Sequence, residues 1–354
     1  MRYKATAFVI DNIGYVGTGI SPEKGERDFW RYIPGDDRWE QIDSLPAGAR
    51  AGAFSFVING KGYVGGGEVE NNNPRNDLWE FDPQLNKWTK KADLPITVAG
   101  QGSMKGFSIG EKGYVLATFN DNNFFEYNPE KDSWKAMKNF NGNSKLDFVS
   151  FSSDTKGYIG CGFNGTENIN EIWQFDPVKN DWMKKTDFPG FPRSKEVAFH
   201  SKDYAYVGMG IAEGKYHNDF WRYNMADDTW EQVDSCGYGA YGAFAMFISG
   251  RGYVGTGVFT EFPEFWEYTP VYLNNERVTE KNVNVYPNPA AEVIYIKNIH
   301  QNNYTINFYN VEGKRMKVVL NSPENISISN LPVGMYVLEI VMENQKVHKT
   351  FIKY

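Results

Sequence analysis

The sequence predicts an all-β fold in which six similar sheets are followed by a smaller β-domain. Three observations support this prediction. A short glycine–tyrosine motif recurs six times at nearly constant spacing, tryptophans follow the motif at fixed distances, and the pattern stops near residue 272. Alternating apolar and polar residues fill each interval between turn-forming residues, which is typical of short strands rather than helices.

The composition excludes several classes of protein. The chain has 354 residues, a formal net charge of −7 and 16% aromatic residues. Its aromatic content excludes a disordered chain, and its acidic balance argues against nucleic-acid binding, which requires a basic surface. Because no apolar run approaches the roughly 20 residues that cross a bilayer, we expect no membrane insertion. Two cysteines are too few for a disulfide scaffold.

The repeat begins at Gly14–Gly19, with the sequence Gly-Tyr-Val-Gly-Thr-Gly, and its successive tyrosines are 48, 51, 44, 48 and 47 residues apart. We call these the repeat tyrosines: Tyr15, Tyr63, Tyr114, Tyr158, Tyr206 and Tyr253. A third-strand aromatic follows in every repeat: Trp30, Trp79, Phe125, Trp173, Trp221 and Trp266. Nine residues later, five repeats carry a fourth-strand tryptophan: Trp39, Trp88, Trp134, Trp182 and Trp230. The sixth repeat has Asn275 there instead.

Each repeat reads as four short strands, as the second repeat illustrates. Residues 51–58 alternate in character, and Asn59-Gly60 favours a tight hairpin to the return strand. The variable loop 68–76 precedes the third strand, and the proline-containing turn Asp82–Asn86 precedes the fourth. A unit of this size cannot bury both faces of its sheet alone, so we expect six units to stack around an axis. We assign the patterned aromatics to the core between sheets: Tyr15, Trp30, Trp39, Tyr63, Trp79, Trp88, Trp134, Trp173, Trp182, Trp221, Trp230 and Trp266.

A glycine pair, a tyrosine and two aromatics nine residues apart resemble the kelch repeat. The resemblance covers about residues 1–272 and implies a six-bladed kelch β-propeller. Kelch propellers include sugar mutarotases, galactose oxidase-like copper enzymes and many binding modules, so the resemblance specifies the fold and leaves the function open.

The sixth repeat lacks its fourth-strand tryptophan, and its last blade is therefore incomplete by this pattern. Residues 1–10 align with the first strand of a repeat. We expect the missing strand to come from residues upstream of Met1 in a longer natural protein, which would also account for the absence of a signal peptide at Met1. Alternatively, Val271–Leu273 supplies a degenerate fourth strand.

Residues 273–282 are polar, which indicates a linker. For residues 283–354 the sequence predicts a compact Ig-like β-sandwich of short strands. This last segment resembles the type A C-terminal sorting domain of type IX secretion (the Por system) in Gram-negative Bacteroidota. The motif residues are Tyr286, Pro287, Asn288, Pro289, Gly313, Gly334 and Tyr336. The resemblance implies docking on an outer-membrane translocon, removal by a sorting peptidase, and release or surface attachment of the propeller. The alternative is an ordinary appended β-sandwich.

A position thirteen residues before each repeat tyrosine is cationic in four repeats of an otherwise acidic chain: Arg2, Arg50, Lys145 and Arg193. Because this position enters the innermost strand, we expect these side chains at the mouth of the central channel. The kelch resemblance implies that the matching arginine faces a bound ligand, and guanidinium groups suit carboxylates. Alternatively, each arginine pairs with an acidic residue and braces adjacent blades. Both interpretations stay open.

Two residues before each third-strand aromatic lies a mostly acidic position: Asp28, Asp77, Asn123, Glu171, Asp219 and Glu264. One carboxylate per blade favours an architectural role, such as capping loop amides or pairing with the arginines. A sialate-mutarotase-like enzyme would need one acid and one base at the mouth. Glu196 and Glu213 are possible candidates, but the sequence assigns no catalytic residue.

We predict no metal and no cofactor. Only His200 and His217 lie in the propeller, and their spacing is not that of a metal site. A galactose oxidase-like copper centre needs imidazoles together with a tyrosine joined to a cysteine. Cys161 and Cys236 lie two repeats apart, and we expect no disulfide between them.

Together these patterns predict a secreted or surface-displayed kelch propeller that acts, as a monomer, as a binding module for a glycan or protein ligand. The variable loops 20–28, 68–76, 164–170 and 211–218 would surround the binding mouth. An extracellular sugar mutarotase or epimerase on the same scaffold is the alternative, with a copper oxidase less favoured. A third possibility is an adhesion protein without a discrete pocket.

Overall fold

The computed structural model describes the chain in these ranges: 2–69, 73–96, 103–118, 122–143, 146–237, 239–259, 265–268, 284–297, 304–311, 314–322, 325–342 and 345–354. The chain divides into two compact units, Met1–Val271 and Tyr272–Tyr354, which are treated separately below. Among the described residues, no helix is long and apolar enough to cross a membrane.

The first unit consists of six antiparallel sheets, the blades, whose strands pair in chain order. Blade 1 contains Thr6–Ile10, Ile13–Gly17, Phe29–Ile33 and Arg38–Ile42. Blade 2 contains Phe54–Ile58, Lys61–Gly65, Leu78–Asp82 and Lys87–Lys91. Blade 3 contains Met104–Ile109, Lys112–Ala117, Asn123–Asn128 and Ser133–Ala136. Blade 4 contains Val149–Ser152, Gly157–Gly160, Ile172–Asp176 and Asp181–Lys184. Blade 5 contains Val197–His200, Tyr204–Gly208, Phe220–Asn224 and Thr229–Val233.

Blade 6 shows three strands among the described residues: Phe244–Ile248, Arg251–Gly255 and Phe265–Tyr268. The expected alternatives for its fourth strand, including Val271–Leu273, lie outside the described residues. Three short ribbons also decorate the loops: Glu68–Val69 with Asn73–Pro74, Ile211–Ala212 with Lys215–Tyr216, and Ala240–Tyr241 with Val258–Phe259. A single 3-10 turn, Pro34–Asp36, precedes the fourth strand of blade 1.

All six repeat tyrosines are buried, and five of them face a first-strand phenylalanine across the inner hairpin, while Tyr253 faces Met246. Phe8 pairs with Tyr15 in the strand register, and their rings stack at 5.2 Å; Phe56 and Tyr63 repeat the arrangement at 5.2 Å. The glycine before the tyrosine permits this packing between blades. A Cβ added to Gly62 would lie 2.3 Å from the Phe8 ring of the preceding blade, so a larger residue would push blades 1 and 2 apart.

The tryptophans are less enclosed than the sequence predicts. Trp88 and Trp182 are buried, but the other patterned tryptophans are only half-buried: Trp30, Trp39, Trp79, Trp134, Trp173, Trp221, Trp230 and Trp266. Six of these eight still pack against the apolar clusters between blades: Trp39, Trp79, Trp134, Trp173, Trp221 and Trp230. Most of them keep one edge near solvent because the indole N–H reaches a carboxylate or carbonyl at the blade edge, as Trp30 does with Asp28 at 2.7 Å.

The six blades close into a ring. Blade 6 joins blade 1 through two backbone hydrogen bonds: the Gly257 N–H donates to the Arg2 carbonyl at 2.6 Å, and the Lys4 N–H donates to the Gly242 carbonyl at 2.8 Å. The same first bond recurs between consecutive blades, for example from Gly162 to Arg193 at 3.0 Å. Blades 6 and 1 therefore share the inner-strand hydrogen bonds of the other neighbouring pairs, in agreement with the predicted six-bladed propeller.

The second unit is a sandwich of two four-stranded sheets. One sheet contains Asn284–Tyr286, Val293–Lys297, Asn325–Ser327 and Val319–Ser322. The other contains Arg315–Met316, Tyr304–Asn310, Gly334–Met342 and Gln345–Lys353. An apolar core that includes Ile294, Phe308 and Leu338 lies between them. This agrees with the predicted Ig-like β-sandwich.

Candidate functional site

The innermost strands of the six blades surround a cavity of about 390 Å³ on the propeller axis. Small side chains such as Ala7, Ser55 and Ala198 line its middle, which keeps the cavity open. The strands all begin at the same end of the cavity, which we call the mouth. Because each first strand pairs with the second in antiparallel register, the loops between second and third strands lie at this same end.

The rim of the mouth is a belt of hydrogen-bonded residues, each eleven positions before a repeat tyrosine. The Lys4 carbonyl accepts from the Gly52 N–H at 2.9 Å, the Asp147 carbonyl from the Lys195 N–H at 3.0 Å, and the Lys195 carbonyl from the Gly242 N–H at 3.1 Å. Three non-glycine members, Lys4, Asp147 and Lys195, have φ of 55°, 49° and 61°. Such left-handed backbone costs about 1–3 kcal/mol per residue and concentrates at functional sites.

The charges at the rim are predominantly positive. Lys4 pairs with Asp147 at 3.6 Å, and the Lys195 ammonium lies 4.9 Å from the centre of the Tyr241 ring. Lys105 lines the cavity itself and forms no ion pair within the described part of the chain. The mouth can therefore accept an anion.

Glu196 places a buried carboxyl in the wall of this mouth. It lines the cavity and is 7% exposed. No nitrogen or oxygen of another described residue donates to either of its oxygens; the nearby donors are its own backbone N–H and the thiol of Cys161, a weak donor. A buried polar group without a strong partner is costly, so its presence needs an explanation.

Burial controls the ionisation of both groups in the cavity. Desolvation raises the pKa of Glu196 well above its usual range, and the nearby Arg193 and Lys105 charges only partly offset this. Desolvation likewise lowers the pKa of Lys105. The Glu196 carboxyl therefore keeps its proton to a higher pH, and the Lys105 ammonium loses its proton at a lower pH, than either group does in water.

The predicted arginines do not line the cavity. Arg50 is 2% exposed and holds Asp77 with two hydrogen bonds at 2.5 and 2.8 Å. Arg193 is fully buried and holds Asp219 in the same manner at 2.5 and 3.1 Å. Both guanidinium groups are thus occupied by carboxylates of the acidic pattern. The geometry matches the bracing alternative, and direct contact of these arginines with a ligand stays a prediction without support from this arrangement.

We call each of these ion pairs, together with the tryptophan that donates to the same carboxylate, a brace. A brace thus consists of a cation, a carboxylate and an indole. Arg2 and Asp28 are 2.8 Å apart, and Trp221 donates to Asp219 at 2.9 Å. Burial alone would raise the pKa of Asp219, but hydrogen bonds from Arg193 and Trp221 outweigh it and hold the pKa below its usual value. Lys145, the fourth predicted cation, lies outside the described residues.

The other residues considered for catalysis or metal binding do not form one cluster among the described residues. Glu213 is exposed on a loop and does not line the cavity. His217 lies 3.9 Å from Asp219, while His200 lies on a cavity-lining strand. In the part of the chain that the structure describes, no three His, Cys, Asp or Glu side chains form a group that could hold a metal ion. Cys161 and Cys236 are buried and form no disulfide, as predicted from their positions.

The sequence contains a signal for Glu196 that the pattern analysis missed. Ten residues before each repeat tyrosine, the other five repeats carry an apolar residue: Ala5, Ala53, Met104, Phe148 and Ala243. Glu196 is the single carboxylate at this position. Alignment of the repeats on their tyrosines, rather than a search for cationic positions, therefore finds the unusual residue.

Residues in and next to the sorting motif form hydrogen bonds with the last strand of the second unit. The Asn288 amide donates to the Thr350 carbonyl at 3.1 Å, and its oxygen accepts from the Ile352 N–H at 2.9 Å. Ala290 continues the contact through a hydrogen bond to the Ile352 carbonyl at 2.8 Å. Tyr336 is buried and donates to the Pro332 carbonyl at 2.7 Å. Gly313, another motif residue, lies outside the described residues.

Comparison with known families gives two matches. The family described as "Secretion system C-terminal sorting domain" matches residues 284–354. The family described as "Kelch motif" matches residues 49–95.

Curated relatives are similar over part of the propeller. "Kelch repeat and BTB domain-containing protein 8" of Homo sapiens is 32% identical over 135 residues, which is 35% of this chain and 21% of the relative. "N-acetylneuraminate epimerase 2" of Escherichia coli O6:H1 is 28% identical over 166 residues, 44% of this chain and 42% of the relative. The chain thus spans less than half the length of these relatives.

A solved structure shares the fold. The structure titled "Structure of YjhT" superimposes with a TM-score of 0.61 at 15% identity, covering 76% of this chain and 93% of the other. A sorting domain directs its cargo through the secretion machinery, so this chain is a secreted or cell-surface protein that interacts with that machinery. The six-bladed ring, the kelch match and the sorting-domain match lead to one assignment: the chain is a kelch-repeat β-propeller with a C-terminal sorting domain of the type IX secretion system.

Proposed function

We propose that the propeller binds a small carboxylate-bearing sugar at its mouth, on the cell surface or after release from it. The observation that carries the proposal is Glu196, a buried carboxyl in the wall of the cavity to which no nitrogen or oxygen of another described residue donates. A hydroxyl group or the ring oxygen of the bound sugar would be the strong hydrogen-bond partner of the Glu196 carboxyl. The rim cations Lys4 and Lys195 favour an anionic ligand.

The cavity size supports a small ligand rather than a folded partner. About 390 Å³ lies within the usual range of small-molecule sites, which are concave and largely preformed. Two ion pairs, Arg50–Asp77 and Arg193–Asp219, fix the shape of the mouth when no ligand is bound. We expect the monomer to be sufficient, because all the groups named come from one propeller.

A second candidate function, mutarotation of the bound sugar, is favoured because Glu196 and Lys105 line one cavity and their pKa values are shifted in opposite directions. Neutral Glu196 would donate its proton to the ring oxygen as the ring C–O bond breaks, while a base removes the anomeric hydroxyl proton. The resulting open-chain carbonyl recloses on its other face and returns both protons. Similarity to two N-acetylneuraminate epimerases of Escherichia coli O6:H1, over 42% and 34% of their length, supports testing this reaction first.

Proton NMR of N-acetylneuraminate tests both functions in one series. Binding predicts saturable line broadening with the full chain and at least tenfold weaker broadening with Glu196→Gln. Mutarotation additionally predicts faster exchange between anomers, reduced about 10²–10⁴-fold in the variant. Saturable binding without faster exchange eliminates the enzyme and retains the binding module. If the sugar and its carboxamide analogue bind equally, the proposed preference for an anion is wrong.

A further inference from the structure

Lys105 has no counterpart in the other five blades. It lies nine positions before its repeat tyrosine, where the other repeats carry uncharged residues: Thr6, Phe54, Val149, Val197 and Phe244. Those five side chains are buried, whereas Lys105 is half-buried and lines the axial cavity. Blade 3 therefore has an amine where every other blade has a packed uncharged side chain.

The strand opposite Lys105 explains why its side chain is not part of the core. In the other five blades the residue paired with this position is a glycine. A Cβ added to Gly65 would lie 2.6 Å from the Phe54 ring, so in blade 2 the aromatic ring occupies the space over the glycine. In blade 3 the paired residue is Leu116, which is fully buried in the cluster between blades 3 and 4. Leu116 fills the corresponding space, and Lys105 is left to the cavity.

The Lys105 amine forms no hydrogen bond and no ion pair with the residues that the structure describes. Burial lowers its pKa, and the charge of Lys4 acts in the same direction, while the charges of Asp147 and Glu196 oppose this shift in part. An ordinary lysine keeps its proton up to a pH of about 10.4. Lys105 therefore reaches the neutral, nucleophilic form of the amine at a lower pH than the exposed lysines do.

The groups that an amine needs to react with a carbonyl compound lie around the same cavity. Glu196 lines it, and burial raises the pKa of this carboxyl, which therefore keeps its proton to a higher pH. Lys195 lies at the rim, over the Tyr241 ring at 4.9 Å, and forms no ion pair within the described part of the chain. A nucleophile, a proton donor and a cation for a carboxylate are thus combined at one site.

We propose that Lys105 forms an imine with the carbonyl group of a 2-oxo acid bound in the axial cavity, with the acid's carboxylate directed toward Lys195. This inference rests on the proposed function, because it uses the same mouth and specifies the reactive group of the ligand. The open-chain form of N-acetylneuraminate is itself a 2-oxo acid. Desolvated lysines form such imines in other proteins.

The reaction needs no group beyond Lys105, Glu196 and the ligand. The amine nitrogen attacks the carbonyl carbon, and the carbonyl oxygen takes the proton of the Glu196 carboxyl. The Glu196 carboxylate then removes a proton from the nitrogen, which gives a neutral carbinolamine. In the last step Glu196 returns this proton to the hydroxyl group, water leaves with the C–O electron pair, and the nitrogen lone pair forms the C=N bond. The products are a protonated imine, water and the Glu196 carboxylate.

Reductive trapping with pyruvate, the smallest stable 2-oxo acid, tests the inference on the full chain. Cyanoborohydride transfers hydride to the C=N bond and leaves a carboxyethyl group on the lysine that formed the imine. Intact mass and peptide mapping then give the number and position of these groups. We expect one group per chain, on Lys105, at a rate that saturates with pyruvate concentration. Lys87, which is exposed on blade 2, is the internal control and should react slowly and without saturation.

Variants and a neutral probe assign the roles. Lys105→Met, which has a side chain of similar length, should lose the saturable labelling at an unchanged melting temperature, whereas Lys87→Met should retain it. Glu196→Gln should form the adduct about 10²-fold more slowly, as for loss of a general acid. Pyruvamide, which lacks the carboxylate, should label Lys105 at least tenfold less.

The possible failures are distinguishable. Equal labelling of Lys105 and Lys87, absence of a Lys105 adduct, or saturable labelling that survives Lys105→Met overturns the inference. An unchanged rate in Glu196→Gln or with pyruvamide contradicts the assigned roles of the acid and of the carboxylate. If N-acetylneuraminate binds in the NMR series but pyruvate gives no Lys105 adduct, the imine is wrong and the proposed function stands. A Lys105 adduct without binding of N-acetylneuraminate supports the imine and contradicts the proposed sugar ligand.

Discussion

Glu196 occupies a position that is apolar in the other five blades, and burying a carboxyl there reduces the stability of the folded protein. Proteins retain such groups where function requires them. The nearby left-handed backbone at Asp147 and Lys195 concentrates further strain at the same mouth. A buried acid that directly follows a left-handed residue of the rim supports the assignment of the site.

Replacing Glu196 by methionine, which blade 3 carries at this position as Met104, should stabilise the protein in a pH-dependent manner. The folded-state pKa of Glu196 is raised, so its neutral form is favoured by folding. Below the unfolded pKa of about 4.3 both states hold the proton. As pH rises above that value, the folded state retains protons longer and wild-type stability falls.

Melting curves between pH 4 and pH 8 test this expectation. The Glu196→Met variant should match the wild type near pH 4 and exceed it by about 1–3 kcal/mol at pH 8. Glu213→Met, a change at an exposed loop residue, is the matched control and should show no such divergence. A constant difference across the pH range would contradict the raised pKa.

The buried brace between Arg50 and Asp77 gives a second prediction at this scale. Asp77→Asn leaves a buried guanidinium without its counter-charge and should cost about 3–5 kcal/mol of unfolding free energy. Asp36→Asn, which alters an exposed pair with Arg38 at 3.3 Å, should change it by less than about 1 kcal/mol. Chemical denaturation measures both; similar effects would show that the brace carries no special stability.

The partners and burial of single side chains were the features that the sequence predicted least well. The repeat identified Arg50 and Asp77 as patterned residues, but not that the carboxylate saturates the guanidinium, since spacing alone does not specify side-chain direction. Glu196 was one of two acidic candidates, and its burial became evident only in the folded ring. The sequence also did not predict that tryptophans such as Trp79 are only half-buried, because spacing does not show which polar partner an indole N–H needs.

The elements followed the sequence closely. Tyrosine spacing, the hairpin turn at Asn59-Gly60 and the nine-residue step between aromatics all correspond to strands in the structure. The sequence pattern could not predict the hydrogen bonds between elements that lie far apart along the chain. Asn288, for example, holds the last strand of the sandwich from more than sixty residues away, a contact that no local periodicity encodes.

The Asn288 contact predicts the behaviour of that last strand. Asn288→Ala removes both side-chain hydrogen bonds, and the Ile352 amide should exchange with deuterium about tenfold faster, corresponding to about 1.4 kcal/mol of lost local protection. Asn330→Ala, which removes one bond to Lys317 elsewhere in the unit, is the control. Unchanged exchange at Ile352 would show that backbone pairing alone holds the strand.

At the scale of the whole molecule, the two units have separate tasks. The propeller carries the cavity and its ligand groups, while the sorting domain directs export. Deleting residues 283–354 from the gene should therefore leave a folded propeller that accumulates before the outer membrane instead of reaching the surface. Fractionation of cells with an antibody to the propeller measures this, and surface delivery that survives the deletion would remove the sorting role.

Ring closure underlies every statement about the mouth, because only a closed ring brings Glu196 of blade 5 and Lys105 of blade 3 into one cavity. The most direct measurement is a crystal structure of the protein with bound N-acetylneuraminate. We predict the sugar in the axial cavity, with an oxygen within hydrogen-bond distance of the Glu196 carboxyl and its carboxylate toward the lysines. A sugar bound on the outer loops, with the cavity unchanged, would contradict the account.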